Sequence, residues 1–163
     1  MYTTVFIKKF LEKIGIPIDI LYICVFCAPF FSIFTCLMGY LITKEVTGRI
    51  ETGLLAALFI SSCPSYLTRS VAGSYDNEAI SITLLLLTMY YFVKSIKSGN
   101  LLESAVSAIF YSYLVASWGG YSFVIALFPV YILVLILCKM YDNKIYTTYV
   151  VFYLVGNILS MQT

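Results

Sequence analysis

Long apolar runs alternate with short polar breaks along this chain. Ile20 to Thr43 holds no charged residue. It exceeds the roughly 20 apolar residues that a helix needs to cross a bilayer core, so it can span with some tilt. Pro29 inside it predicts a kink or a local break. The turn KEVTGRIE, 44–51, follows. Thr52 to Leu67 is a second, shorter run, and Ser61, Ser62, Cys63 and Pro64 predict that its far end unwinds. A polar island, RSVAGSYDNE at 69–78, separates it from a third run, Ala79 to Val93. That run is long enough only if its helix starts near Asp76 and Lys94 snorkels. After KSIKSGN, with Gly99 and Asn100 as breakers, Leu101 to Ser117 is a fourth run opened by Glu103. Trp118-Gly119-Gly120-Tyr121 is a connection without charge. Ser122 to Cys138 is the fifth run, KMYDNK the next turn, and Ile145 to Gln162 the sixth run.

Residues 1–19 read as an amphipathic, partly helical lead-in. Val5, Phe6, Phe10 and Leu11 would face lipid or protein, Lys8, Lys9, Glu12 and Lys13 would face water, and Pro17 and Asp19 mark the end. The predicted fold is an all-α multispan membrane bundle of about six spans, at about 20–43, 52–67, 79–93, 101–117, 122–138 and 145–162. These make one transmembrane domain, 20–163, with an acidic loop at 68–78.

Composition agrees with that pattern. Of 163 residues, 61% are hydrophobic and 11% charged. A soluble domain carries about 45–50% apolar and about 25% charged residues. The net charge of +2, with the basic residues in turns, gives no footprint for nucleic acid. Without histidine, any metal site must use oxygen or sulfur ligands, which favours hard cations. Cys24 and Cys27 form a CxxC inside an apolar run with no second pair, so packing thiols are the expectation. The opening MYTTVFIKKFLEKIG is too broken by charge to form the apolar core of a signal peptide.

Charge also predicts orientation. The turns 44–51, 94–100 and 139–144 carry Lys44, Arg49, Lys94, Lys97, Lys139 and Lys144. The loops 68–78 and 118–121 carry only Arg69 as a cation. Cationic loops stay cytosolic, which puts Asp76 and Glu78 outside the cell or in a lumen. The same alternation leaves Lys8, Lys9 and Lys13 on the lumenal side. One further span upstream of Met1 would resolve that conflict, so the chain is expected to be a fragment.

The acidic pair is the candidate chemistry. Two roles are open for Asp76 and Glu78. Acids stabilise a helix N-terminus by capping and by the dipole, worth about 0.3–1 kcal/mol each. Alternatively, they bind a divalent cation. On a regular helix residues i and i+2 point to nearly opposite faces. The cation reading therefore needs an unwound turn, or one ligand with the other acid supporting it. Octahedral coordination takes about six oxygens, so other loops, substrate or water must supply the rest. Arg69 would hold an anionic substrate group or anchor the chain at the interface. Trp118 sits where belt residues are common, and Gly119 and Gly120 leave room for a backbone or a ligand.

At these residues the sequence resembles a known family. TRSVAGSYDNE, Thr68 to Glu78, resembles the second acidic motif of the catalytic subunits of eukaryotic oligosaccharyltransferase. CVFCAPFFSIFTCLMGYLITKEVTG resembles that family's second span and the turn after it, and GLLAALFISSCPSYLTRSVAGSYDNE its third. SWGGYSFVIALFP and FYLVGNILSMQ match in the same order, so the resemblance runs from about Ile14 to Gln162. It implies a membrane glycosyltransferase of GT-C type. Such enzymes move a preassembled oligosaccharide from dolichyl diphosphate to the Asn of N-x-S/T sequons in a nascent polypeptide, on the lumenal face of the endoplasmic reticulum membrane.

By that resemblance Asp76 matches a carboxylate that binds catalytic Mn²⁺ or Mg²⁺, and Glu78 the second acid of the motif. Arg69 matches a basic position of the loop, and Trp118 and Tyr121 a lumenal loop near the lipid-linked donor. The implied partners are dolichyl-diphosphate-linked oligosaccharide, the acceptor polypeptide, the bilayer and other oligosaccharyltransferase subunits, with no nucleic acid. The family's first acidic motif, a glutamate of a later lumenal loop and a WWDYG-bearing domain are not in this sequence. The chain by itself is therefore expected to be inactive. Two other readings are a non-catalytic scaffold derived from the enzyme and a small transporter. A transporter would want charges deep in the bundle, where the runs hold almost none.

Overall fold

The computed structural model describes residues 2–16, 18–74 and 76–162. Pro17, expected to end the lead-in, and Tyr75 of the polar island lie outside the described residues. Every regular element among the described residues is an α-helix. In order they are α1 Tyr2–Lys13, α2 Ile20–Thr47, α3 Ile50–Ser62, α4 Pro64–Ser70, α5 Asn77–Ser98, α6 Leu101–Ser117, α7 Tyr121–Leu137 and α8 Asn143–Ser160.

The apolar runs become helices, and two of these, α2 and α5, outlast their runs. α2 continues through the first charges of its turn and stops at Gly48, whose φ of 71° lets its N–H close on the Lys44 carbonyl. α5 runs past Val93 to Ser98 and ends the same way at Gly99, φ 71°. Glycine in the left-handed region, not the onset of charge, decides where each helix ends. α2 also stays one helix through Pro29, so the local break that the sequence offers there as one option does not occur. The second run is interrupted at Cys63, within the stretch expected to unwind, but the chain returns to helix at once. A residue before proline is pushed toward extended backbone. Cys63 is extended (φ −67°, ψ 117°), and α4 restarts at Pro64, bent 65° from α3.

α2 and α5 are long and apolar enough to cross a membrane, and α3 with α4 makes a third candidate if the bent pair is one span. α6 and α7 are apolar helices of 17 residues each. At 1.5 Å per residue such a helix is about 25 Å long, short of a hydrocarbon core of about 30 Å.

The three cationic turns meet at one end. Lys97 reaches the Glu45 carboxylate at 3.5 Å and also bonds the Glu45 backbone carbonyl. Lys94 pairs with Glu103 at 2.9 Å. The Lys144 side chain lies over Gly99, where an added Cβ would come 3.1 Å from its Cδ. The opposite end holds the polar island and α1. There Ser81 and Ser117 share a hydroxyl hydrogen bond at 3.2 Å, and Thr3 and Tyr113 another at 2.7 Å.

Between the ends, aromatic rings and buried hydroxyls join the helices. Phe92 of α5, Phe128 of α7 and Phe152 of α8 meet with centroids 4.4 to 5.1 Å apart. Ser107 donates to the Thr88 carbonyl at 2.8 Å, and Ser104 to the Thr148 carbonyl at 2.7 Å. Small hydroxyl residues of this kind permit close helix approach where no hydrophobic drive separates protein from lipid tails. Large apolar side chains such as Leu21, Phe26, Ile33, Phe59 and Leu137 face outward.

Candidate functional site

Asp76 and Glu78 sit at the start of α5 in different backbone states. Asp76 is the N-cap, extended at φ −126° and ψ 154°, and its carboxylate accepts the Asn77 N–H at 2.7 Å. Glu78 is already in the first helical turn. The i, i+2 objection therefore falls away. An extended residue beside a helical one swings its side chain off the helical spiral, so both carboxylates can face one point.

That point is occupied by Arg69. Its Nη1 lies 2.5 Å from Glu78 Oε2 and 3.7 Å from Asp76 Oδ2. Arg69 is in the last turn of α4. The break at Cys63 and Pro64 turns α4 away from α3 and delivers the guanidinium to the acids. The Arg69 and Asp76 side chains are each 51% exposed and that of Glu78 31%, so water screens the pairs. Exposed ion pairs are worth about 0–1 kcal/mol. This cluster is held loosely enough to exchange partners.

A single positive nitrogen contacted by both carboxylates is a test of the donor set. Both carboxylates face the same side of the loop, toward Arg69, and their oxygens are hard donors of the type that Mg²⁺ or Mn²⁺ takes. The donor set is also incomplete. Among the described residues no group of three or more His, Cys, Asp or Glu side chains gathers at one place. Two carboxylates supply too few oxygens to complete the shell of such a cation by themselves.

Trp118 and Tyr121 lie at the same end, since Ser117 bonds Ser81 of α5. Trp118 caps α6 with its N–H on the Leu114 carbonyl at 3.0 Å. Its ring folds back over Gly120, where an added Cβ would fall 2.5 Å from the ring. Gly120 thus makes room for Trp118 itself, whereas the space was expected for a second backbone or a ligand. Tyr121 opens α7 with 37% of its surface exposed. Among the described residues no hydrogen bond or ion pair joins the side chain of Trp118 or Tyr121 to Asp76, Glu78 or Arg69.

The joint hold of both acids on Arg69 was not legible in the sequence. Its members are seven and nine residues apart, across a helix end and a loop, so no continuous helix or strand carries a period from one to the others.

Comparison with known proteins agrees with the fold. The family profile described as "Oligosaccharyl transferase STT3, N-terminal" matches residues 1–163. The chain is 45% identical over 163 residues to the dolichyl-diphosphooligosaccharide–protein glycosyltransferase subunit STT3 of Saccharomyces cerevisiae, covering 99% of this chain and 23% of that protein. It is 42% identical over 162 residues to subunit STT3B of Oryza sativa subsp. japonica, covering 99% of this chain and 22% of that protein. It is 43% identical over 162 residues to subunit stt-3 of Caenorhabditis elegans, covering 99% of this chain and 21% of that protein. The chain spans less than a quarter of the length of these relatives. A profile match from end to end, on an all-helical bundle with membrane-length apolar helices, places the chain in the STT3 family of oligosaccharyl transferase subunits.

Proposed function

We propose that this chain is part of a GT-C type membrane glycosyltransferase that moves a preassembled oligosaccharide from dolichyl diphosphate to the Asn of N-x-S/T sequons. In this reading the loop 68–78 supplies one acidic metal-binding motif and faces the lumen of the endoplasmic reticulum. The observation that carries it is the convergence of Asp76 and Glu78 on one Arg69 nitrogen. The gathering of all three cationic turns at the far end supports the orientation.

Asp76 and Glu78 would hold Mn²⁺ or Mg²⁺, with further ligands from parts of the longer protein or from substrate. When bound, such a cation supplies positive charge beside the leaving diphosphate. Arg69, freed from the acids, is placed to pair with an anionic oxygen of the donor at the same end of the bundle. Trp118 presents an aromatic face near that end and Tyr121 a phenol. The acceptor polypeptide and other oligosaccharyltransferase subunits complete the assembly.

The test is Asp76→Ala in the full-length protein, assembled with its partner subunits. Expected is the loss of metal-dependent glycan transfer with assembly intact. Transfer at the unsubstituted rate would replace this reading with that of a membrane scaffold.

A further inference from the structure

Among the described residues one backbone hydrogen bond ties the acidic loop to α2, and it falls on a carbonyl four residues before a proline. In α2 the carbonyl of residue i accepts the N–H of residue i+4. Proline has no N–H, so Pro29 leaves the carbonyl of Val25 without its helical donor. A bare carbonyl in an apolar helix is costly, and a partner normally satisfies it. Here the partner is the Gly73 N–H, which donates to the Val25 carbonyl at 3.1 Å. Gly73 has φ 94°, a region that other residues rarely enter, and this conformation aims its N–H at α2. Nothing lies within 4 Å of an added Cβ there, so backbone conformation and not space requires glycine.

We propose that Pro29 is a positioning residue for the acidic site, acting through the Val25 carbonyl and the Gly73 amide. The vacancy in the helix ladder docks the loop three residues before Asp76. On the other side of the loop α4 presents Arg69 to the same acids. The Gly73 bond to α2 is thus the backbone anchor of the loop, beside exchangeable ion pairs to Arg69 on α4. α2 remains helical through Pro29, so the freed Val25 carbonyl stays within a continuous helix and faces the loop amide. The role at the metal rests on the proposed function above, while the docking itself does not.

The experiment uses the full-length protein in its assembled complex and compares Pro29→Ala with Pro129→Ala. Pro129 is the proline inside α7, remote in sequence from the loop, and controls for the general effect of restoring a helical N–H. An alanine N–H at 29 competes with Gly73 for the Val25 carbonyl. Amide exchange at Gly73 is expected to speed up between about twofold and tenfold in Pro29→Ala, the range set by one net hydrogen bond, and to stay unchanged in Pro129→Ala. Mn²⁺ affinity, read by electron paramagnetic resonance, is expected to weaken over the same range in Pro29→Ala only.

Gly73→Ala attacks the other end of the link by strain, and the double variant should be no worse than the more severe single one. Unchanged exchange at Gly73 in Pro29→Ala overturns the docking. Faster exchange with Mn²⁺ affinity unmoved overturns the positioning role. Mn²⁺ affinity unaffected by Asp76→Ala overturns the metal-site reading instead, and the exchange data then still decide the docking.

Discussion

Where α2 and α3 cross, Gly53 sets how closely they lie. Gly53 is buried, and a methyl group there would sit 2.8 Å from Tyr40 Cδ2 and 3.0 Å from both Tyr40 Cε2 and the Tyr40 carbonyl oxygen. Gly53→Ala therefore sets two effects against each other. Alanine is the better helix former by about 0.5–1 kcal/mol. Forcing a methyl into a filled contact costs about 1–3 kcal/mol. The ring carbons can rotate aside, but the carbonyl oxygen belongs to the α2 backbone and cannot. The steric cost is expected to win, for a net loss of about 0.5–2 kcal/mol.

α3 leads into α4, so the displacement should loosen the seam that carries Arg69. Cys36, half-buried on α2, reports it. In a full-length protein with Cys36 as its only thiol, alkylation should speed up about two- to thirtyfold, the opening ratio for that loss, since about 1.4 kcal/mol is tenfold. Gly119→Ala, at a position with open space, should change nothing. Tyr40→Leu removes the ring and should relieve part of the penalty, giving a coupling of about 0.5 kcal/mol or more. If Gly53→Ala is alkylated no faster than the unsubstituted protein, the reasoning from this contact is wrong.

Other outcomes follow from the same structure. Arg69→Gln removes the cation that both carboxylates contact, so Mn²⁺ binding to the full-length protein should tighten about two- to fivefold, the reach of an exposed pair; weaker binding would make Arg69 a support of the metal site and not its competitor. Cys63 lies at the acidic end and Cys138 at the cationic end, both exposed. In sealed microsomes a membrane-impermeant thiol reagent should label Cys138 from outside and Cys63 only after the vesicles are opened; the reverse pattern would invert the orientation. Ser107→Ala loses the buried bond to the Thr88 carbonyl and should cost about 0.6 kcal/mol, at most about 1.7, in detergent unfolding; a gain in stability would mean that this bond does not hold α5 to α6.

Sequence by itself determined the helices and the location of the acidic pair. Apolar runs separated by glycine, proline and charge leave a chain in lipid few options, because every backbone group must then be satisfied within its own segment. Helix existence was therefore legible from local pattern. Helix ends were less so, since Lys94 and Lys97 mark the edge of the apolar run while the backbone continues to the left-handed Gly99. Pro64 interrupted its run within the stretch expected to unwind, and Pro29 did not break α2. The two prolines differ in surroundings: one precedes a helix restart, the other has a loop amide at hand for the carbonyl it frees.

Tertiary structure alone decided what the polar groups face. Both carboxylates meet Arg69 because α4 is bent 65° from α3; the sequence located that break but carried no value for the angle. Nor did it carry that Trp118 covers Gly120, Lys97 reaches Glu45, and Gly73 reaches Val25. Each of these pairs crosses a turn or joins two elements, so its geometry depends on how rigid helices are placed against one another. Residue periodicity carries the shape of one helix and holds no information on the placement of the next.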